Sequence, residues 1–582
     1  MQHRRDGKNV HTPEYGQTAG TPPRSTPDRL SSPPSQHPSQ EVNVINTIDT
    51  EKCTGCGTCF KTCGLDVFRL DTDQPVLSPC MAKCPAGTDI RGYNGLMQMG
   101  RIDEAAARLR ERNPFPAITG RVCPHQCEGE CSRSRVDGAV NINAIEQYLG
   151  DRTLHDMPEK PAVRHVHRIA VVGSGPAGLS CAWYLARAGY PVRVFEAMPE
   201  PGGMLRYGIP AYRLPEDVLD AQIAQLKALG VEFQCGTRVG KGCDCSMEDL
   251  YELGYKAVFI APGATKSRRP GVPGEDLSGV FYGVEFLRAV RQNRQKPMSG
   301  RVVVIGGGAV AMDAAITARK LGASQVDLYC LESREQMPAF KHDIDDALNA
   351  GVILHPGWGP VSVEGEKSVR SMTLHRCLSV FNAEGRFSPV FDDAETQSVE
   401  ANAVIFAIGQ SSDLAPFEGV VDTQRGRITA DPETFGTSYW KIFAAGDAVT
   451  GPSTVIAAIT GGREAAVSID RLMTGGHLHS DRKEKRPVAE HLPGEGVMLS
   501  PRVERKEIAA EGFEEKRLGF DDVDALHESM RCLTCGAKAR INYRDDCMTC
   551  FFCELRCPSQ AIDVHPFKER LPFTLERNFG GF

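Results

Sequence analysis

Short β-branched runs, each ending in glycine and followed by residues at helical spacing, organise the middle of the chain. Ile169-Ala-Val-Val172 predicts a buried strand, Gly173-Ser-Gly175-Pro176-Ala177-Gly178 follows at once, and Leu179 to Ala188 has helical periodicity. Pro191 to Phe195 predicts the next strand and ends in Glu196. Arg301-Val-Val-Val-Ile305 repeats the pattern: Gly306-Gly-Gly308-Ala309-Val310-Ala311 opens a helix, and Val326 to Leu331 predicts the following strand. Lys441-Ile-Phe-Ala-Ala is a third such strand, running into Gly446-Asp447 and then Gly451-Pro-Ser-Thr454 before an apolar helix. Val523 to Met530 is a further helical stretch. The start, Met1 to about Gln40, is rich in Pro, Ser, Gln, Thr and His, so it reads as a disordered tail with too little apolar surface to order itself. It has no apolar signal region, and no stretch of the chain approaches the roughly 18 apolar residues of a membrane span.

Strand, glycine turn, helix, strand and a placed acid are the elements of a dinucleotide-binding fingerprint. Gly173, Gly175 and Gly178, with Pro176 and Ala177, would let backbone approach a pyrophosphate at a helix N-terminus, and Glu196 would accept from ribose hydroxyls. Asp447, after Gly446, suits the ribityl hydroxyls of FAD; the helix that begins near Thr454 would face the flavin where negative charge develops. Gly306, Gly308, Ala309 and Val310 form the second fingerprint. Two fingerprints imply two dinucleotides, one domain inserted in the other, the layout of flavoproteins that pass hydride from nicotinamide to FAD. Glu332 follows the second strand; a carboxylate there accepts from a free 2′-hydroxyl and repels a 2′-phosphate, which argues for NAD over NADP.

Composition changes the picture mainly through cysteine. The net charge of −7 offers no basic footprint for nucleic acid. Of 21 cysteines, fifteen fall in iron–sulfur spacings. Cys53-x-x-Cys56-x-x-Cys59-x-x-x-Cys63 and Cys547-x-x-Cys550-x-x-Cys553-x-x-x-Cys557-Pro558 are each a bacterial ferredoxin run, in which the fourth cysteine ligates the other run's cluster. Zinc knuckles use Cys-x-x-Cys pairs, but four cysteines at this spacing point to [4Fe–4S]. Clustered ligands in a large chain also exclude a secreted disulfide scaffold and place the protein in a reducing cytoplasm. Cys181, Cys235, Cys243, Cys245, Cys330 and Cys377 remain; Cys243-Asp-Cys245 reads as an exposed loop, and none has the Cys-x-x-Cys spacing of a flavin-linked disulfide reductase. His342 and His527 read as surface histidines.

Pro201-Gly-Gly-Met-Leu-Arg-Tyr-Gly-Ile-Pro210-Ala-Tyr-Arg-Leu-Pro215, Asn113-Pro-Phe-Pro116, Gly120-Arg-Val-Cys-Pro124 and Gly-Gly-Gly-x-Val-Ala-Met-Asp313 resemble the small subunit of bacterial glutamate synthase and the matching half of dihydropyrimidine dehydrogenase, over about residues 79 to 475. The resemblance implies an FAD domain, with Gly203 and Arg206 among the cofactor-binding residues, an inserted nicotinamide domain, and a preceding helical domain with two [4Fe–4S] clusters. This chain departs from the family twice. NADP-using members carry two arginines where Leu331 and Glu332 stand, although Arg334 is retained. The family's Arg-Cys-Leu-x-Cys should precede Cys80-x-x-x-Cys84-Pro85; here it appears as Arg531-Cys532-Leu-Thr-Cys535. The C-terminal helix is therefore expected to fold back and supply Cys532 and Cys535 to Cys80, Cys84, Cys123, Cys127 and Cys131. Relatives fill the eighth position with Gln or Glu, for which Glu146 is the candidate and Gln147 the alternative.

The expected architecture is multidomain α/β: two nested Rossmann-like dinucleotide-binding domains, a helical iron–sulfur domain, and a ferredoxin-like α+β domain built from both chain ends. The boundaries expected are a tail at 1–45, a ferredoxin-like half at 46–78, the helical domain at 79–165, FAD domain parts at 166–297 and 413–475, the NAD domain at 298–412, a linker at 476–520, and the Cys-x-x-Cys helix with the second ferredoxin-like half at 521–582. The function expected is NAD(H)-linked electron transfer through FAD and four [4Fe–4S] clusters, to or from a catalytic partner subunit in a hetero-oligomeric complex or a ferredoxin, with neither nucleic acid nor membrane as partner. The alternatives are an NADPH-dependent glutamate synthase small subunit and a non-catalytic iron–sulfur scaffold. Spacing leaves open whether the split ferredoxin domain closes within one chain or between two.

Overall fold

The computed structural model describes residues 46–564, apart from 66, 481, 483–485, 493, 495–496, 509–511 and 544–545. The tail expected at 1–45 and the last residues, 565–582, lie outside the described residues.

Two five-stranded parallel sheets form the centre. The first has the order Ile442–Ala444, Tyr255–Ile260, Arg168–Val172, Val192–Phe195, Glu232–Gln234. The second runs Val352–Pro356, Gln325–Cys330, Arg301–Ile305, Ala403–Phe406, Val280–Tyr282. Their central strands are continuous apolar runs because parallel sheets are covered on both faces; Ile169, Val171, Val302 and Val304 are fully buried. The helices Pro176–Ala188 and Val455–Thr474 cover one face of the first sheet. They approach closely because Gly462 has no side chain: a Cβ there would overlap the Ala177 carbonyl.

The chain crosses between the two domains at one antiparallel pair, Lys266–Ser267 with Gln410–Ser411. The first crossing therefore precedes Val280–Tyr282, which pairs with Ala403–Phe406 in the second sheet. This corrects the boundary expected at 297/298, which was drawn at the glycine fingerprint; the short edge strand carries no such signal. The insertion also contains an antiparallel sheet, Trp358–Glu364, Ser371–Phe381 and Phe387–Glu400, packed on the second sheet through Val363, Met372, Leu374 and Val399.

Before the first sheet lie short helices, among them Pro79–Lys83, Ile90–Gln98, Ile102–Arg110, Pro116–Val122 and Ile142–Arg152. Asp89 and Asn141 cap two of them by accepting from the Gly92 and Ala144 amides. The helix Asp522–Met530, capped by Asp521, completes this bundle, with Ala525 and Phe520 in its core beside Tyr93 and Met97. Fully buried Arg531 fastens it, pairing with Glu528 at 2.7 Å and with Asp137 at 2.9 Å.

The two ends of the described chain meet. Asn46–Ile48 pairs antiparallel with Ile562–Val564, and Phe68–Asp71 with Lys538–Ile541. Cys53, Cys59, Val67, Phe68, Ala539, Cys553 and Ile562 share one small core.

The segment expected to be a linker at 476–520 is anchored along its described length. Val488 bridges Leu77, Arg502 pairs with Glu128 at 3.0 Å, Arg505 donates to Asn143 and the Gly120 carbonyl, and Glu515 pairs with Arg121 at 2.8 Å. Arg517 then reaches Asp346 of the inserted domain at 2.8 Å. Its charges meet partners from distant parts of the chain. Among the described residues no helix is long and apolar enough to cross a membrane.

Candidate dinucleotide and iron–sulfur sites

A cavity of about 650 Å³ opens where the two nested domains face each other. Gly173, Gly175, Pro176, Ala177, Glu196, Gly203, Gly446, Asp447 and Thr454 line it from the first domain, and Ala309 and Val310 from the second. Gly173 holds a φ of +99°, and a Cβ there would overlap the Ala261 carbonyl, so only glycine makes this turn. Gly178 lies beneath the turn, packed on the Gly173 carbonyl. Gly175 faces open space and caps the helix Pro176–Ala188, leaving the cradle a phosphate needs. The Glu196 carboxylate accepts from the Ser174 amide at 2.9 Å, the Ser174 hydroxyl and the Met198 amide at 2.8 Å, and so faces the turn. Thr454 caps the helix Val455–Thr474 by accepting from the Ala457 amide. These residues fit a bound dinucleotide.

Arg206 does not line the cavity. It donates to the Pro201 carbonyl at 2.7 Å and pairs with Asp220 and Glu200, so it braces the Pro201–Pro215 segment.

Asp447 accepts one hydrogen bond, from the Ser453 amide at 3.1 Å, and burial raises its pKa to about 6. Hydroxyl donors from a ribityl chain would stabilise its ionised form and lower that pKa. Proton loss is then linked to FAD binding, so binding weakens as pH falls through 6. Apoprotein is expected to bind FAD roughly tenfold more weakly at pH 5 than at pH 7. Asp447→Asn should flatten that dependence in fluorescence titrations, and an unchanged slope in the variant would refute the role.

At the second turn, a Cβ on Gly306 would overlap the Ala407 carbonyl, while Gly308 faces open space and caps the helix Ala309–Lys320. The Glu332 carboxylate lies over this turn, 2.7 Å from where a Gly307 Cβ would stand. Arg334 is 3.6 Å from Asp345 through one terminal nitrogen, and its buried Nη1 has no hydrogen-bond partner. Gly306, Gly308, Glu332 and Arg334 lie beyond the large cavity itself.

Sequence reasoning missed Arg213. It reaches from the first domain to Asp313 at 2.9 Å and Asp343 at 3.1 Å in the second, aligning the two across the cavity. Burial raises the Asp313 pKa to about 6, against the opposing effect of Arg213. The available signal was a lone arginine in Pro210-Ala-Tyr-Arg213-Leu-Pro215 and an aspartate in the helix after a glycine turn. His342 lines the same cavity, 3.4 Å from Asp343, so it is not the plain surface histidine expected. His527 is exposed, and Cys245 is buried, unlike the exposed Cys243-Asp-Cys245 loop expected.

The cysteines separate into two small cavities and two further groups. One cavity is lined by Cys80, Cys131, Cys532 and Cys535; the other by Cys84, Cys123, Cys127 and Glu146. Each presents four donors, the number a [4Fe–4S] cluster takes. Gln147 lines neither cavity; Glu146 accepts from Tyr93 at 3.2 Å and lies 3.1 Å from His125 Nε2. Burial pushes the Cys532 and Cys535 thiols up to about 11 and about 12, so thiolate forms there only against a cationic partner. Burial also raises Cys59, with the charges of Cys56, Cys53 and Cys557 adding to it. Cys553 is raised to about 11 by burial and by Cys547, Cys63 and Cys550. Those two sets follow the crossed ferredoxin pattern. No cysteine lines the large cavity. Pro124 and Thr454 line both that cavity and the one with Cys84, Cys123, Cys127 and Glu146.

The pyridine nucleotide-disulphide oxidoreductase family matches residues 167–462, the dihydropyrimidine dehydrogenase domain II 4Fe-4S family residues 74–157, and the 4Fe-4S binding domain family residues 46–69. The chain is 37% identical over 506 residues to the NADP(+)-dependent formate dehydrogenase subunit beta of Moorella thermoacetica, covering 79% of this chain and 71% of that one. It is 34% identical over 509 residues to the NADPH-Fe(3+) oxidoreductase subunit beta of Geobacter sulfurreducens, covering 79% and 75%. It is 36% identical over 418 residues to the glutamate synthase [NADPH] small chain of Escherichia coli, covering 67% and 87%. With its glycine turns, its cysteine cavities and these relatives, the chain belongs to the pyridine nucleotide-disulphide oxidoreductase family, among the FAD- and NAD(P)-dependent iron–sulfur electron-transfer proteins similar to glutamate synthase small chains.

Proposed function

We propose that this chain passes electrons between NAD(H) and a partner enzyme or ferredoxin, through FAD and four [4Fe–4S] clusters. The observation that carries the reading is the pair Pro124 and Thr454, which separate the dinucleotide cavity from the cavity of Cys84, Cys123, Cys127 and Glu146 by one layer of residues. FAD, when bound, accepts two electrons as hydride and gives them up singly. The protein's own part is orientation. Gly175 and Gly308 leave their turns open to phosphate, Glu196 and Asp447 offer carboxylates, and Arg213 holds the two domains in register. Cys80 and Cys84 share the helix Pro79–Lys83 and its C-cap, and so link the two cysteine cavities of the bundle. The ferredoxin-like sets continue the series towards the surface, where Cys550 is exposed.

Glu332 supports NADH as the nicotinamide, although the relatives named above carry NADP(H) names. Two of them are named as beta subunits, which supports a partner subunit here. The identity to glutamate synthase small chains supports a second reading, service to a glutamine-dependent large subunit; the two ferredoxin runs favour the first.

Anaerobically purified protein is expected to carry about sixteen iron and sixteen acid-labile sulfide per chain. NADH should bleach its flavin absorbance within a turnover. Iron near eight would leave only two clusters, and a flavin that neither NADH nor NADPH bleaches would favour the scaffold.

A further inference from the structure

The two ends of the chain meet through their cysteine loops. Gly55, with φ +71°, lies so close to Ala537 that any Cβ would overlap its carbonyl. Thr534 Oγ1 donates to the Gly55 carbonyl at 2.7 Å. Gly57 leaves room for the stem of Lys61, whose Cε stands 3.5 Å from where a Cβ would be. The Lys61 ammonium donates to the Cys532 carbonyl at 2.6 Å, 471 residues away in sequence. Burial lowers its pKa to about 8; Cys532, Cys56 and Cys535 act against that and Arg133 acts with it. One neighbour belongs to the set Cys53, Cys56, Cys59, Cys557; two belong to the set Cys80, Cys131, Cys532, Cys535.

Arg91 donates to the Cys535 carbonyl at 3.4 Å, while two further arginines are neutralised by carboxylates. Arg133 pairs with Asp137 at 2.6 Å, and Arg531 with Glu528 at 2.7 Å and Asp137 at 2.9 Å. Among the described residues, no carboxylate forms an ion pair with Lys61. A desolvated cation without a counter-ion is unfavourable unless its surroundings supply negative charge. The thiolates on either side are what can supply it.

We propose that Lys61 is the electrostatic link between these two cluster sites, its fixed positive charge favouring the added electron on either side and raising both reduction potentials together. The inference rests on the cluster reading above. The step served is the transfer of one electron from one site to the other, with no bond made or broken. A cation shared between donor and acceptor shifts both levels in the same direction and so leaves the step between them largely unchanged. Lys61 is a positioning residue in this scheme: it touches the Cys532 backbone and acts on the sites through its field.

The test uses full-length holoenzyme at pH 7 with Lys61→Gln, Lys61→Met and Lys61→Arg. Iron and sulfide are counted first; midpoint potentials then come from redox titration followed by electron paramagnetic resonance. In the two neutral variants, two of the four cluster potentials are expected to fall by at least a tenfold change in equilibrium constant, about 59 mV for a one-electron couple. The other two potentials and the flavin should hold, and Lys61→Arg should stay close to wild type. Unchanged potentials in neutral variants with full iron would overturn the link, as would an equal shift of all four. Loss of iron from both neutral variants but not from Lys61→Arg would also overturn it, leaving a structural anchor. A wild-type iron count well below sixteen would fail the cluster reading itself, separately from these outcomes.

Discussion

A chain ending at Phe520 is expected to retain FAD and to lose three of the four clusters proposed. The truncation removes Cys532 and Cys535 from the cavity they share with Cys80 and Cys131. It removes Cys557 from the group around Cys59, and Cys547, Cys550 and Cys553 from the group around Cys63. The set Cys84, Cys123, Cys127 and Glu146 draws nothing from the lost segment. Nor does the large cavity, whose lining ends at Ala458. Iron should therefore fall from about sixteen to about four per chain, with flavin near one. The double variant Cys532→Ala/Cys535→Ala isolates one site and should retain about twelve iron. Iron and flavin analysis of the three proteins reads all of this. A truncated chain holding more than about eight iron would mean that the ends do not share clusters.

The glycine turns and central strands could be read directly, because a β-branched run ending in Gly173 or Gly306 is dictated by local sterics. The meeting of the chain ends could be read as well, since a displaced Arg531-Cys532-Leu-Thr-Cys535 needs partners that only the N-terminal part holds. The division of seven cysteines and Glu146 into two cavities could not. Cys80 and Cys84 flank one helical turn yet point to different cavities, and spacing alone is silent on which way each faces. The anchored segment 476–520 was hidden for a related reason. Arg505 and Arg517 look like solvated charge until the fold brings Asn143 and Asp346 against them. The resemblance implied a cofactor role for Arg206, which pairs with Asp220; His342 read as a surface histidine, but its helix, Lys341–Asn349, borders the interdomain cavity.

Wild-type protein is expected to prefer NADH over NADPH at least tenfold in kcat/KM, about 1.4 kcal/mol, and Glu332→Arg to reverse that preference. Glu332 follows the strand Gln325–Cys330 and lies over Gly307 in the second glycine turn. A carboxylate so placed accepts from a free 2′-hydroxyl and repels a 2′-phosphate. The wild-type chain is not without cationic help for a phosphate: Arg334 Nη1 is buried and has no hydrogen-bond partner. Glu332 lies over the turn itself, whereas Arg334 is drawn towards Asp345 at 3.6 Å, so the carboxylate decides. Replacing it with arginine removes the repulsion and adds a second planar donor set beside the first. The swing in the NADH to NADPH ratio should then reach roughly a hundredfold, about 2.7 kcal/mol, since repulsion is lost and attraction gained in one change. Glu332→Gln separates the two contributions; it removes the charge alone and should bring the ratio near one. Steady-state reduction of an artificial one-electron acceptor with each nicotinamide measures all three proteins. Equal kcat/KM for NADH and NADPH in the wild type would end the assignment of Glu332 as the discriminating residue.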